Sequence, residues 1–146
     1  LHPNILQYTK SGSASGPMAG RGEIAVSIIF SHDCIANIDE GYEDLAVVFP
    51  ADGTGYEIGA QALIANAPHP NNAKTWIDWA LQADTQSIGP EVRAFQLPTN
   101  PEAEVSEFAV DISQVNLVDY DFQAAGEART RLTEQFEDEV AAAPAE

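Results

Sequence analysis

Apolar residues fall in three blocks with strand character along the first half of the chain and at helical spacing along the second. Ile24-Ala25-Val26-Ser27-Ile28-Ile29-Phe30 is a run rich in β-branched side chains, the pattern of a strand covered on both faces in a parallel or mixed sheet. Leu45 to Phe49 repeats that pattern and stops at Pro50, which has no N–H to offer a ladder. From Tyr56 to Ala65, Ile58, Ala60, Ala62 and Ile64 alternate along the chain, the period of two that a strand requires. The turn Asp52-Gly53-Thr54-Gly55 separates the second and third blocks.

Helical signals fill the intervals. Ala14 to Gly20 holds a short helix with Pro17 in its first turn, and Ile35 and Ile38 mark another from Asp33, its capping residue, to Gly41. Ala73, Trp76, Ile77, Ala80 and Leu81 give the clearest helix, entered through Pro70. Thr85 to Leu97 reads as helix and turn, Pro98 to Glu104 as a loop, and Val115 to Val118 as extended. Phe122, Ala125, Leu132, Phe136 and Val140 mark a long amphipathic helix capped by Asp119 or Asp121, followed by a tail from Ala141 to Glu146. Leu1 to Tyr8 reads as the end of one element and a short strand. Strands alternating with helices predict an α/β fold of mixed sheets flanked by helices, and no internal repeat is present.

Composition changes the picture at three points. With 146 residues and 45% hydrophobic content the chain can bury a core, yet its opening, Leu1-His2-Pro3-Asn4, reads as a processed chain or a cut-out piece. Its net charge of −17 excludes nucleic acid and anionic membrane surfaces as partners. From Pro98 to Glu146 there are 12 acids against only Arg129 and Arg131, which reads as a solvated face or an acidic docking surface. Cys34 is the only cysteine, which excludes an internal disulfide and any CxxC site.

Three polar stretches carry candidate chemistry. Ser11-Gly12-Ser13, with Thr9 beside it, offers hydroxyls and backbone N–H groups at a helix start, suited to phosphate, phosphonate or carboxylate; it is equally an ordinary turn that caps the helix. His32 and Asp33, at the end of the first strand, stand where open α/β sheets place ligand groups, or else serve as helix cap and hinge lining. Thr54, Tyr56 and Glu57 flank a glycine and can approach a ligand or pack as a hairpin turn. Trp76 and Trp79 read as core and lobe surface, and His69 as an exposed loop residue. No nucleophile elbow, HExxH or P-loop motif is present, and His32 near Cys34 makes no catalytic dyad by adjacency, so the chain does not read as an enzyme.

The succession Tyr8–Ala14 (YTKSGSA), Arg21–Asp33 (RGEIAVSIIFSHD), Val47–Gly59 (VVFPADGTGYEIG), Ala62–Leu81 (ALIANAPHPNNAKTWIDWAL), Gln96–Pro101 (QLPTNP) and Val118–Phe122 (VDYDF) resembles the C-terminal half of bacterial ABC-transporter substrate-binding proteins. The branch it resembles is the one for ferric iron, phosphonates and sugar phosphates, with the type II periplasmic-binding-protein fold. The resemblance implies two α/β lobes closing on a small anionic solute, a periplasmic or membrane-tethered location, an ABC permease as partner, and no cofactor. Residues 1–27 then end the second lobe with the anion turn, 28–81 cross into the first, and 82–146 return to the second, where Tyr120 anchors the chain. An absent N-terminal lobe or a partner copy completes the fold, and without it the chain exposes apolar surface.

Two other readings stay open. Ferric-binding members of that family use adjacent tyrosines, whereas Tyr8, Tyr42, Tyr56 and Tyr120 are separate here. The other, of a different class, is an acidic interaction or scaffold domain with no small-molecule site.

Overall fold

The computed structural model describes residues 2–141, and five α-helices punctuate long non-helical runs within them: α1 (Ser15–Gly20), α2 (Ser31–Asp39), α3 (Pro70–Ala80), α4 (Ala83–Gln86) and α5 (Phe122–Phe136). Short turns of tighter helix lie at His2–Asn4, Gly89–Val92 and Ile112–Gln114, and a wider turn, Glu137–Ala141, continues α5. Leu1 and residues 142–146, most of the expected tail, lie outside the described residues. The expected strand before Tyr8 is a helical turn at His2–Asn4 followed by irregular chain.

Helix α3 starts with Pro70 in its first turn, as the fixed φ of proline favours. The Asp121 carboxylate caps α5 by accepting from the Ala124 N–H at 2.9 Å, which settles the choice between Asp119 and Asp121. Helix α2 departs from expectation. It begins two residues before Asp33, with Phe30 at its N-cap and no side-chain cap bond, so His32 and Asp33 ride on the first helical turn instead of closing a strand. Asp33 is not the cap; its carboxylate lies where the helix dipole favours negative charge.

Helices α1 and α2 pack closely because α1 carries glycines one turn apart. A first side-chain carbon at Gly16 would fall 2.6 Å from Asn37 Nδ2, and one at Gly20 would fall 2.4 Å from Tyr42 Cγ. Asn37 is buried and donates to the Asp33 carbonyl at 2.6 Å, so its polar group is not left unpaired. The Ser15 and Ser27 hydroxyls, 2.6 Å apart, tie α1 to the run before α2. At the other end of α2, Arg93 donates from Nε to Asp39 Oδ2 at 2.8 Å and from its terminal nitrogen to the Ala36 carbonyl at 3.2 Å. One cation thus braces the C-terminal turn of a helix, where the dipole favours positive charge.

The predicted strands are irregular, unpaired chain, with a bend at Ala25 and a turn at Ala65. Burial alternates along the second: Leu45, Val47 and Phe49 are partly covered while Ala46, Val48 and Pro50 face outward, whereas residues 56–65 are exposed throughout. Runs 24–30, 45–49 and 56–65 nonetheless form no ladder, and among the described residues the single bridge is parallel, between Thr54 and Leu117. In it Thr54 N donates to the Asn116 carbonyl at 2.9 Å and Val118 N to the Thr54 carbonyl at 3.0 Å. The expected mixed sheets are therefore not formed among the described residues. A strand needs a neighbour on its hydrogen-bonding edge, and the described residues supply one only at Thr54.

The consequence is a thin core. Ile35, Phe95 and Ala103 are its buried apolar members, whereas Val48 is 82% exposed and Ile64 78%. Trp76 and Trp79 meet at a 47° tilt with ring centres 4.9 Å apart, but both are exposed, Trp76 by 60%, so of the expected core and lobe-surface roles the core one is not met here. The chain exposes 11384 Å², against about 7,300 Å² for a compact protein of its 15.6 kDa.

Candidate functional site

Site geometry is set by the Thr54–Leu117 bridge, which brings the segment after Gly53 beside the segment leading into α5. Gly53 adopts φ +118°, and a side chain there would meet Val118 Cγ1 at 3.1 Å, so only glycine fits this corner. Beyond the bridge an open groove of roughly 510 Å³ forms, lined by Phe30, Gly55, Tyr56, Glu57, Ile58, Tyr120 and Phe122. That volume is in the range of small-molecule sites. Its walls are aromatic: Tyr56 meets Phe122 edge to face at 5.6 Å, and Tyr120 meets the same ring at 4.9 Å.

Of the predicted residues, Tyr56 and Glu57 line this groove directly. Thr54 does not. Its backbone is spent in the bridge, so its role is to place its neighbours. His32 reaches the groove through Phe30, whose ring lies parallel to the imidazole at 5.2 Å with 10° between planes. Asp33 Oδ1 stands 3.8 Å from His32 Nε2, both side chains about a quarter exposed.

The Ser11–Gly12–Ser13 turn borders the same ring. A first side-chain carbon at Gly12 would lie 3.9 Å from Phe30 Cε2. The Ser11 and Ser13 hydroxyls are 3.2 Å apart, and among the described residues the Gly12 and Ser13 N–H groups have no acceptor. Thr9 behaves differently from its neighbours, because its hydroxyl donates to the Ser11 carbonyl at 2.7 Å. It braces the turn rather than presenting a free donor. The helix behind the turn, α1, has six residues, so hydroxyls and N–H groups, not a long helix dipole, supply the local attraction for an anion.

All three predicted stretches therefore converge on one ring, Phe30, which sequence reasoning assigned to a buried strand. Tyr120 and Phe122 were also missed as groove walls; aromatic residues beside a helix start read as packing until the fold brings them opposite Tyr56. Cys34, two residues past His32, is partly covered, and that burial pushes its thiol above the ordinary range, which keeps it a poor nucleophile. Among the described residues no cluster of three or more His, Cys, Asp or Glu has metal-site geometry.

No protein-family model matches the chain. An uncharacterized protein of Haemophilus influenzae is 38% identical over 143 residues, which cover 96% of this chain and 41% of that protein. Among solved structures, the periplasmic binding protein AfuA from Actinobacillus pleuropneumoniae, with exogenous fructose-6-phosphate bound, is 40% identical with a TM-score of 0.91. It matches over 98% of this chain and 46% of its own. The periplasmic binding protein P5PA is 34% identical with a TM-score of 0.84, over 94% of this chain and 44% of its own. The chain thus has the fold of part of a periplasmic binding protein and spans less than half the length of the relatives it matches.

Proposed function

We propose that this chain forms one half of a solute-binding protein that captures a sugar phosphate outside the cytoplasmic membrane and hands it to an ABC permease. The observation that carries the reading is the groove lined by Phe30, Tyr56, Glu57 and Tyr120, with the hydroxyl-rich Ser11–Ser13 turn against the Phe30 ring. A sugar phosphate has the matching parts: an anion for Ser11, Gly12 and Ser13, hydroxyls for Glu57, Asp33 and His32, and an apolar ring face for Tyr56 and Tyr120. The fructose-6-phosphate in the AfuA structure supports the same ligand class. In this reading the protein performs no chemistry and needs no cofactor, and nucleic acid is not a partner. No helix among the described residues is long and apolar enough to cross a membrane, and in this reading the membrane partner is the permease.

The same reading assigns residues 1–27 to the end of one lobe, 28–81 to the crossing and the other lobe, and 82–146 to the return. The remaining walls come from a complementing half that also covers the unpaired runs. The test is a pair of variants in the full-length polypeptide that carries this chain. Ser11→Ala with Ser13→Ala removes two hydroxyl donors and weakens fructose-6-phosphate binding about tenfold or more, since donors to a charged group are the strong ones. Unchanged affinity by calorimetry refutes the anion turn.

A second reading, ferric ion, is favoured by one observation: Tyr56, Tyr120 and Glu57 share the groove, and phenolates with a carboxylate suit a hard cation. Ferric titration separates the two. A visible phenolate charge-transfer band that disappears in Tyr56→Phe supports iron, and a colourless titration with sugar-phosphate binding supports the anion.

A further inference from the structure

We propose that Phe30 is a positioning residue of the ligand site, whose ring fixes the plane of His32 and the spacing between the Ser11–Ser13 turn and the Tyr56–Glu57 wall. The inference rests on the sugar-phosphate reading and deepens it. Phe30 sits at the N-cap of α2 with φ −65° and ψ 143°, where its carbonyl accepts the Asp33 and Cys34 N–H groups at 3.1 and 3.2 Å. Helices favour Ser, Thr, Asp or Asn at that position, because a side-chain oxygen there satisfies a first-turn N–H. Phenylalanine supplies none, and α2 has no side-chain cap bond.

Within this half the ring is 43% exposed and free to make contacts toward the groove. The ring makes three contacts. It stacks on His32 at 5.2 Å, abuts Gly12, and lines the groove together with Tyr56 and Glu57. A stacked imidazole, approached also by Asp33, is held in one plane before ligand arrives, which lowers the ordering cost of binding.

The experiment compares Phe30→Ser, Phe30→Leu and Phe30→Tyr in the full-length polypeptide, by thermal melting, by NMR of the His32 ring C–H signals, and by calorimetry with fructose-6-phosphate. Serine restores a capping oxygen, so its melting temperature is expected at or above wild type; leucine keeps apolar bulk without a ring; tyrosine keeps the ring. Serine and leucine should each move the His32 signals to lower field and weaken binding about threefold to tenfold, the range an aromatic stack supplies. Tyrosine should preserve both. Unmoved His32 signals in the leucine variant, or equal losses in tyrosine and leucine, overturn the proposal. A wild type that ignores fructose-6-phosphate while its His32 signals still respond to leucine and not to tyrosine refutes the sugar-phosphate reading and upholds the positioning role.

Discussion

Covering the unpaired runs is the perturbation from which the largest response is expected. The exposed 11384 Å² exceeds the surface of a compact chain of this mass by roughly 4,000 Å², which on one partner alone reaches the size of permanent interfaces. Backbone groups in runs 24–30, 45–49 and 56–65 have no ladder partner, and Val26, Ile28, Val48 and Ile64 stand in solvent. A second copy is a poor cover, because it brings a further net charge of −17 to the contact. The fitting partner is a polypeptide spanning the part of AfuA that this chain does not match. In hydrogen–deuterium exchange the amides of the three runs should exchange like an unfolded chain when this chain is alone, while the middle turns of α2, α3 and α5 are slowed. Adding the partner should slow the runs by about a hundredfold or more. Protection of the runs in the isolated monomer, or none after the partner is added, refutes the reasoning; protection that accompanies self-association assigns the cover to a second copy.

Further predictions concern the frame that holds the site. Gly16→Ala drives a carbon onto Asn37 of α2 and Gly20→Ala one onto Tyr42 just beyond it, so each should lower stability by about 1–3 kcal/mol in urea melts, with wild-type stability of Gly16→Ala excluding the close α1–α2 contact. Asp121→Ala removes the α5 cap and should cost about 1 kcal/mol, whereas Asp119→Ala should be near neutral. Arg93→Ala frees the C-terminal turn of α2; because both partners are nearly half exposed, the loss should be about 1 kcal/mol or less and shrink in high salt. The Ser113 hydroxyl and N–H hold the Asp111 carboxyl below its ordinary range. Its contribution is therefore whole above the ordinary aspartate range and is lost as pH falls through the lower folded value, so Asp111→Asn should lower stability slightly at neutral pH and converge with wild type in acid, flattening the acid limb of the stability profile.

The helices were legible because each carries its own signal. Pro70 before the Trp76–Ile77–Ala80 stripe and Asp121 before Phe122 announce their helices without reference to the rest of the fold. The start of α2 was not legible, since Phe30 continues an apolar run and offers no capping oxygen, so the eye moves on to Asp33. Runs 24–30, 45–49 and 56–65 were read as strands and form none among the described residues, because a ladder belongs to two segments, and the second is not among the described residues. The candidate site divides in the same way. Ser11 to Ser13, His32, Asp33, Tyr56 and Glu57 are conspicuous as polar residues in turns and at element ends. Phe30, Tyr120 and Phe122 are not, because only the Thr54–Leu117 bridge makes them neighbours, and that contact joins residues far apart in sequence.

The central claim is tested most directly by isothermal calorimetry of the full-length polypeptide with fructose-6-phosphate, fructose and inorganic phosphate in parallel. A site built from an anion turn and an aromatic, hydroxyl-binding groove predicts saturable one-to-one binding of the sugar phosphate, tighter than either part alone by well over the sum of their separate effects. Equal affinity for phosphate and fructose-6-phosphate, or no heat with any of the three, contradicts it.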